Sequence, residues 1–330
     1  MTTSPRSAFS PLQSDTWEAV CRGRGKSTFS GVGTGWHALA ILEHRRFGRY
    51  LYLPYGPVAQ DAEALEQALR WARGVAHNQR AMFLRVEPPT AGPWYRSTLK
   101  VEVSRQAALL HHWGFVSAPA DLQPRRTRCI DLRASDQEIL GNMTGTNRTV
   151  YRSTAERGLE IRTSHDPKDM VHLTELIDRT AARQGFTPHA HTELAALAQA
   201  TLPQGDSTLF LAEHKNNVVS AVLAVDGGDM RIFAHGASDR DFSKLRAHQS
   251  LIVTAILDAK ERGLLVADLY GIAPSDDPEH PWAGFSKFKA SFGGYVVEHS
   301  GAWDFPVWPM AYHAMTGARR VIAAMRPSMR

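Results

Sequence analysis

Two lysines lie among three phenylalanines in the stretch GFSKFKASFGG, residues 284–294. The lysines are Lys287 and Lys289, and a Gly293-Gly294 pair that can make a sharp turn closes the segment. A lysine in apolar surroundings is a compact cation with reduced screening, and such a cation can act on an anionic substrate. The pattern therefore predicts either a solvated helix face above a phenylalanine core or a cation at the edge of an apolar cleft.

Other common site motifs are incomplete in this sequence. The glycine-rich SGVGTGWH has Trp36 where G-x-G-x-x-G requires glycine, and it lacks the Lys-Ser/Thr of a P-loop. The sequence contains neither a G-x-S-x-G elbow nor an H-E-x-x-H helix. The 15 histidines show no metal-ligand spacing, and Cys21 and Cys129 are too few for a zinc site or a disulfide framework. We therefore expect no metal and no cofactor.

The composition is that of a soluble α/β protein. Of 330 residues 43% are hydrophobic, which favours two domains with sizeable cores. The net charge of +5 and pI of about 9.3 are compatible with nucleic acid, nucleotide or anionic-lipid partners, and equally with an ordinary enzyme. No apolar run approaches the length of a membrane span and no signal peptide is visible, so we expect a cytoplasmic protein.

Strands and helices alternate in both halves of the chain. In the first half, two strands (WHALAILEH and RYLYLPYG) precede a helix capped by Asp61 and a strand ending at Pro88. In the second half, Asp166 caps a helix, and three strands (STLFLAEH, NVVSAVLAVD and DMRIFAHGAS) precede a helix ended by Gly263 and the strand LLVADLYGI. The helix-then-strand unit at 61–87 is echoed at 248–272, which predicts two tandem acyltransferase-type domains with a boundary near 120–150.

Acyl-CoA is the obvious donor to test for such a fold. Acyltransferases usually hold the CoA pyrophosphate on a glycine-rich loop before the long helix. The corresponding segment here, DFSKLRAHQSLIV, contains Arg246 but no glycine. The sequence thus weakens the CoA interpretation at the point where it needs support.

Ten short motifs occur in the order expected for one family. They run from Leu12 to Val307 and are LQSDTWEAV, YLPYGPV, FLRVEP, LQPRRTRCIDL, NRTVYRSTAERGLEI, RTAARQGF, FAHGAS, DLYGIAP, FKASFGG and GAWDFPV. Together they resemble the Fem family of tRNA-dependent aminoacyltransferases, which build the peptide cross-bridge of bacterial peptidoglycan.

The resemblance implies a fold and a reaction. The fold is two tandem acetyltransferase-like (GNAT) domains with mixed sheets flanked by helices and no coiled-coil arm. Domain 1 would span 1–133, completed by a C-terminal helix at 309–330, and domain 2 would span 134–308. The reaction would transfer an amino acid from aminoacyl-tRNA to the side-chain amine of the position-3 diamino acid of a peptidoglycan precursor. That precursor is lipid II or UDP-MurNAc-pentapeptide, and the protein is expected to be a monomer.

The resemblance also assigns two catalytic residues. Lys289 matches the lysine of F-K-x-x-F-G, which faces the tRNA acceptor end and could neutralise a phosphate or the developing oxyanion; its alternative is a surface lysine. Glu87 matches an acidic residue that faces the attacking amine. The alternative for Glu87 is a structural partner of Arg85 or another cation.

Further residues are assigned to binding. The substrate-binding set implied by the resemblance is Arg183, Phe233, His235, Tyr55 and Arg22. His235 replaces a family tyrosine, and Cys21 lies near the place of a family lysine that binds the nucleotide-linked diphosphate, which favours the lipid-linked precursor. For Arg183 the alternative is an exposed helix arginine.

For tRNA the predicted residues are Lys289, Phe288, Arg148 and Arg152. The two arginines are four apart on a predicted helix and would form a basic stripe with Arg157, or simply a solvated face. The basic tail GARRVIAAMRPSMR could touch an anionic membrane.

The competing interpretations are a CoA-dependent N-acyltransferase and a non-enzymatic RNA- or membrane-binding protein. The transferred amino acid and the acceptor residue are left open.

Overall fold

The computed structural model describes residues 10–45, 48–90, 100–185 and 190–325. These residues form two compact units. The first unit contains residues 25–90, 100–125 and 298–325, and the second contains residues 10–24 and 126–297. Each unit is a mixed sheet flanked by helices, as the sequence predicts.

The elements are numbered in chain order through the described residues. The strands are β1 (Thr28–Gly33), β2 (Trp36–Arg45), β3 (Gly48–Leu53), β4 (Val58–Ala59), β5 (Phe83–Val86), β6 (Val116–Ser117), β7 (Arg126–Asp131), β8 (Glu160–Ser164), β9 (Ser207–His214), β10 (Asn217–Gly227), β11 (Met230–Ser238), β12 (Val266–Gly271), β13 (Tyr295–Glu298) and β14 (Trp303–Pro306). The helices are α1 (Asp15–Gly23), α2 (Ala62–Asn78), α3 (Lys100–His112), α4 (Asp136–Gly141), α5 (Gly145–Arg152), α6 (Met170–Gln184), α7 (His191–Thr201), α8 (Ala247–Glu261), α9 (Ala283–Ala290) and α10 (Pro309–Met325).

The first unit is built on a sheet with the strand order β1-β2-β3-β5-β14-β6, and β4 pairs with β2. The parallel strands β3 and β5 are joined by α2, which begins where the sequence predicts: the Asp61 side chain accepts a hydrogen bond from the Ala64 N–H at 2.8 Å. Leu65 and Leu69 of α2 are buried against the sheet. The apolar periodicity of α2 therefore covers the parallel pair.

A buried ion pair fastens the C-terminal strand to the first unit. Arg85 of β5 lies opposite Asp304 of β14, and its guanidinium donates two hydrogen bonds to that carboxylate at 2.7 and 2.8 Å. The Tyr312 hydroxyl of α10 donates to the same carboxylate at 2.9 Å. Because a buried ion pair is stable only with its hydrogen bonds complete, these contacts hold β5, β14 and α10 together.

The second unit has the strand order β13-β7-β12-β11-β10-β9-β8. Alternate residues of β9 and β10 point to two cores: Phe210 and Val222 pack under α8, and Leu209 and Leu223 pack under α1, α6 and α7. Both faces of the sheet are covered, which explains why these strands read as nearly continuous apolar runs.

The parallel strands β11 and β12 of the second unit diverge. They pair only from Met230–Val266 to Ile232–Asp268, after which β11 stays with β10 and β12 stays with β7. A register shift between Leu223 and Ala224 accompanies the divergence. We call the gap beyond Ile232 and Asp268 the fork. In open α/β sheets, the carboxyl ends of strands at such a place form binding crevices.

Several local expectations change in the structure. The glycine-rich SGVGTGWH belongs to the β1–β2 hairpin, in which Gly35 adopts a left-handed φ of 73°. Asp166 caps a short 3-10 turn, and α6 begins after it without a side-chain cap. The N-terminal residues 10–24 belong to the second unit and 298–308 to the first, whereas the sequence assigned both segments the other way.

Three features are absent from the described residues: a membrane-spanning helix, a metal-binding cluster and a long helical arm. No described helix combines the length and apolarity required to cross a bilayer. Within the described ranges, no group of three His, Cys, Asp or Glu side chains is arranged to hold a metal ion. The longest helices there, α2 and α10, have 17 residues, so the described residues contain no long helical arm. Of the basic tail, residues 326–330 and the side chains from 318 onward lie outside the described structure.

Gly294 is required by a close backbone approach. Its φ is 73°, and a Cβ atom added to it would overlap the carbonyl oxygen of Cys129 in β7. We expect Gly294→Ala to lower the free energy of unfolding by more than about 2 kcal/mol, because both the φ and the overlap oppose it. Urea unfolding would measure the change.

Gly284 in the same stretch is the matched control. It lies in the first turn of α9 with nothing within 4 Å of an added Cβ, so Gly284→Ala should be neutral or stabilising by up to about 1 kcal/mol. Equal unfolding midpoints for the two variants would contradict this account of the turn.

Candidate functional site in the second unit

Lys289 is a buried cation beside the fork. It lies in the last turn of α9 with a relative exposure of 7%, and its Nζ donates a 2.6 Å hydrogen bond to the carbonyl oxygen of Gly271, the last residue of β12. Its ammonium also lies 4.1 Å from the ring centroid of Phe285. The alternative of a surface lysine is therefore wrong for Lys289, whereas Lys287 is exposed.

The three phenylalanines of this stretch have different environments. Phe292 is fully buried, and Phe288 is half-buried between Phe292, at a centroid distance of 5.2 Å, and the stacked ring of His248 at 5.9 Å. Phe285 keeps an exposed fraction of 51%. Two rings thus anchor α9 in the core, as the first interpretation of the pattern expects, and the third covers a buried cation; a cleft beside that cation stays a prediction.

Asp268 of β12 is the negative charge that faces Lys289. Asp268 is buried and belongs to the last residue pair of β11 and β12 before the fork. One of its carboxylate oxygens accepts a 2.7 Å hydrogen bond from the Tyr270 N–H. Burial lowers the pKa of Lys289 to about 8, and the charge of Asp268 opposes this shift. Burial raises the pKa of Asp268 to about 6. At neutral pH the ammonium is still mostly protonated, but it is much closer to losing its proton than an ordinary lysine.

His248 lies at the start of α8, near the diverging part of β11. The Ser220 hydroxyl donates to the Ala237 carbonyl oxygen at 3.1 Å, so the 3.0 Å contact between Ser220 and His248 Nδ1 is donated by the ring. Burial lowers the pKa of His248 to about 4, and the imidazole is neutral at pH 7. The sequence analysis missed Asp268 and His248; for Asp268 the available signal was a lone acid within the apolar segment LLVADLYGI.

Phe233 and His235 both lie on β11 beyond its last pairing with β12. Phe233 is partly buried and packs against the core beneath α8, and His235 is also partly buried. Their position on the fork side of β11 is compatible with lining a cleft. Substrate contact by these two residues stays a prediction.

The arginines of the predicted basic stripe have different environments. Arg148 and Arg152 share α5, but the Arg148 guanidinium donates to the carbonyl oxygens of Gly141 and Met143. Arg152 is exposed, and Arg157 lies beyond the end of α5, so it does not continue the helix face. RNA contact by Arg148, Arg152 and Arg157 stays a prediction.

Arg183 and Arg22 are both exposed in the last turns of their helices. Arg183 lies at the end of α6, in the position of an ordinary surface arginine. Arg22 of α1 bonds Glu18 one turn earlier at 2.8 Å. Substrate binding by either arginine is still a prediction.

Glu87 and Tyr55, in the first unit, hold one segment of backbone. The buried Glu87 carboxylate accepts hydrogen bonds from the Tyr52 hydroxyl and from the N–H groups of Leu122 and Gln123, the latter two at 2.7 and 2.9 Å. Tyr55 donates its hydroxyl to the carbonyl oxygen of residue 124 at 2.8 Å. Glu87 and Tyr55 therefore anchor residues 122–124.

The environment of Glu87 is that of a satisfied carboxylate. Burial raises its pKa, and the hydrogen bonds from Tyr52, Gln123 and Leu122 oppose that shift. The Arg85 guanidinium donates its hydrogen bonds to Asp304 rather than to Glu87, but the charges of Arg85 and Glu87 still attract each other.

The repeated helix-linked parallel pair, β3-α2-β5 and β11-α8-β12, with a fork in the second unit, defines a tandem acetyltransferase-type fold. The model of the FemAB family matches residues 7–193 and 195–320. The chain belongs to the FemAB family, which confirms the predicted resemblance.

Individual relatives agree with this assignment. A lipid II:glycine glycyltransferase of Staphylococcus haemolyticus (strain JCSC1435) is 21% identical over 311 residues, 74% of this chain and 73% of the relative. The crystal structure of FemX superposes with a TM-score of 0.81 at 18% identity over 94% of this chain and 95% of FemX. A tandem GNAT protein from the clavulanic acid biosynthesis pathway gives a TM-score of 0.54 at 12% identity over 92% and 91%. These findings confirm the predicted fold class and the enzyme class, an aminoacyltransferase.

The titration of Lys289 tests the electrostatics of the fork. Carbon NMR of isotope-labelled lysine should show one side chain titrating near pH 8, well below the ordinary 10.5, and this signal should vanish in Lys289→Met. Because the charge of Asp268 raises the pKa of Lys289, Asp268→Asn should move the titration to lower pH.

The exposed Asp276 supplies the control for this titration, and Asp276→Asn should leave the Lys289 signal unchanged. An Asp268→Asn variant whose Lys289 titrates at the same or a higher pH would contradict the assigned interaction.

Proposed function

We propose that this protein transfers an amino acid from aminoacyl-tRNA to the side-chain amine of the position-3 diamino acid of a peptidoglycan precursor. The observation that carries the proposal is the buried Lys289 ammonium at the fork of a FemAB-family fold. The staphylococcal relative is a lipid II:glycine glycyltransferase, which supports lipid II as the acceptor. UDP-MurNAc-pentapeptide is the other acceptor to be tested.

The reaction is the aminolysis of an ester. The uncharged acceptor amine attacks the ester carbonyl carbon, a C–N bond forms, and the C–O bond to the tRNA ribose breaks. The proton lost by the amine is balanced by the proton gained by the leaving ribose oxygen. Such a reaction requires positioning and charge stabilisation but no protein nucleophile.

Lys289 supplies the positive charge in this proposal. Its Nζ has one hydrogen bond to Gly271 and faces the ring of Phe285, so the ammonium retains donors for an oxyanion or a phosphate oxygen. Burial strengthens this interaction because screening by water is reduced. A pKa of about 8 also suits proton donation to a leaving oxygen near neutral pH.

A CoA-dependent acyltransferase is the alternative chemistry on this fold. In the structure, the segment before α8 is a 3-10 turn, Arg240–Leu245, followed by Arg246 in a left-handed conformation. Without a glycine, this segment lacks the close backbone approach that a pyrophosphate loop uses. The proposal therefore favours aminoacyl-tRNA over acyl-CoA, and both donors enter the test.

A transfer assay with purified protein tests the reaction. Glycyl-, alanyl- and seryl-tRNA are offered with lipid II and separately with UDP-MurNAc-pentapeptide, and the products are identified by mass. We expect a mass gain of one or more amino acids, and a decrease in kcat/KM of about 100-fold or more for Lys289→Met, because an oxyanion-stabilising donor contributes on that scale. The matched control is the exposed Lys287→Met, which should retain activity.

No mass gain for any donor–acceptor pair, together with binding of acetyl-CoA in a thermal-shift measurement, would replace this proposal by the CoA alternative.

Glu87 has a separate test. If it accepts the proton of the attacking amine, Glu87→Gln should lose about 100-fold or more in kcat. Its three hydrogen bonds favour anchoring, because a glutamine can still accept from Leu122 and Gln123 and bond the Tyr52 hydroxyl. We therefore expect Glu87→Gln to retain most activity and Glu87→Ala to unfold at a lower temperature than the wild type. A stable but inactive Glu87→Gln would establish the catalytic role instead.

A further inference from the structure

An aromatic stripe leads from solvent to Lys289. Trp282 and Phe285 are each 51% exposed, and they lie three residues apart at the start of α9. Lys289 follows Trp282 by seven residues, so the three side chains share one face of the helix. We call Trp282, Phe285 and Lys289 the aromatic stripe.

Both rings of the stripe are held by their neighbours. The Phe285 ring has the Lys289 ammonium 4.1 Å from its centroid. Trp282 is packed edge-on against the ring of His280 at 6.0 Å, and its backbone N–H donates to His280 Nδ1 at 3.0 Å. The two rings therefore present ordered apolar surface to solvent.

The chemistry of the stripe selects the kind of partner. Exposed aromatic rings next to cations are the usual platform for unpaired nucleotides, since every nucleotide has a base whose π-face can stack and a phosphate that a lysine attracts. A base-paired duplex keeps its base faces stacked inside and cannot use such a platform. An aliphatic lipid chain would gain nothing from the buried ammonium at the end of the stripe.

The charges around the stripe limit the length of the bound strand. Asp276, Asp277 and Glu279 precede Trp282 in the chain; Asp276 is paired with Arg126 at 3.1 Å, and Asp277 accepts from the Glu279 backbone N–H at 3.0 Å. Because Arg126 compensates Asp276, the charges before Trp282 that would repel further phosphates are those of Asp277 and Glu279. The stripe therefore fits the last one or two nucleotides of a strand and not a longer run.

We propose that Trp282 and Phe285 stack the unpaired 3′-terminal nucleotides of the donor RNA and so deliver its ester to Lys289. This inference rests on the proposed function in taking aminoacyl-tRNA as the donor. It assigns donor recognition to two residues outside the set predicted from the sequence. A cavity of about 500 Å³ on another face of α9, lined in part by Arg128 and Lys287, does not include the stripe.

The first experiment measures RNA binding without catalysis. The probes are a fluorescently labelled minihelix RNA with an unpaired CCA 3′ end and the same helix with a blunt end. We expect Trp282→Ala and Phe285→Ala each to weaken binding of the overhang probe by about tenfold, from the usual contribution of one stacked base, and to leave blunt-helix binding unchanged. Trp282→Phe should bind nearly as the wild type, because it keeps an aromatic face.

Two controls separate stacking from general effects. Trp308→Ala removes a tryptophan of similar exposure, 52%, from the first unit and should not change binding. Phe285→Leu keeps the apolar bulk without the π-face and should behave like Phe285→Ala. Unfolding curves of all variants establish that each is folded, which is expected because the rings are half exposed.

The transfer assay adds a second readout. The two alanine variants should raise KM for aminoacyl-tRNA about tenfold with KM for the acceptor unchanged. A raised KM for the acceptor alone, or unchanged binding of the overhang probe, would overturn the inference. If overhang binding is unchanged while Lys289→Met abolishes transfer, the inference fails and the proposed function stands. If the variants lose overhang binding but no transfer occurs with any pair, the stacking site stands and the proposed reaction fails.

Discussion

The burial of one ammonium group sets the arrangement of the second unit around its fork. Removing a lysine charge from water is costly unless other groups replace the water. Here the replacement comes from the Gly271 carbonyl oxygen, the Phe285 ring and the charge of Asp268. The lysine and the ring belong to α9 and the other two groups to β12, so the compensation fixes the helix against the end of the strand. The Gly293-Gly294 turn then brings the chain close to the backbone of Asn142, the residue after α4, and of Cys129 in β7.

The two units use the same connection for different purposes. Each has a parallel strand pair joined by a helix, β3-α2-β5 and β11-α8-β12. At the end of β5, the Glu87 carboxylate is fully engaged by three donors and holds a loop in place. At the end of β12, the ammonium of Lys289 is buried but retains donors, and its pKa is lowered. A satisfied charge stabilises its own unit, whereas an incompletely satisfied buried charge is suited to bind a ligand.

The sequence predicts many strands and helices because each has a local signal, and a local motif singles out Lys289 as a candidate. Apolar periodicity and the Asp61 cap identify α2, and the motif around Lys289 marks the cation. The environment of Lys289 could not be predicted this way, since Asp268 is 21 residues away in the chain and meets the lysine only through the pairing of β12. Arg148 shows a further limit: two carbonyl groups, invisible in a charge pattern, accept hydrogen bonds from one nitrogen of its guanidinium, and its RNA contact stays a prediction. Side-chain roles that depend on long-range pairing are the part that spacing alone leaves open.

Burial at the fork has a second consequence for the proposed aminolysis. The environment that lowers the pKa of Lys289 also raises the pKa of the Cys129 thiol well above its usual range, with burial as the main cause and Asp268 adding to it. His248, whose pKa is lowered by its own burial, is neutral and donates its Nδ1 proton to Ser220. A thiolate near an activated ester would capture the acyl group as a thioester, but a buried neutral thiol is a poor nucleophile. The low dielectric that strengthens the interactions of the Lys289 ammonium also keeps the Cys129 thiol protonated. Capture of the acyl group by Cys129 is therefore disfavoured, and the incoming amine meets no competing thiolate at Cys129.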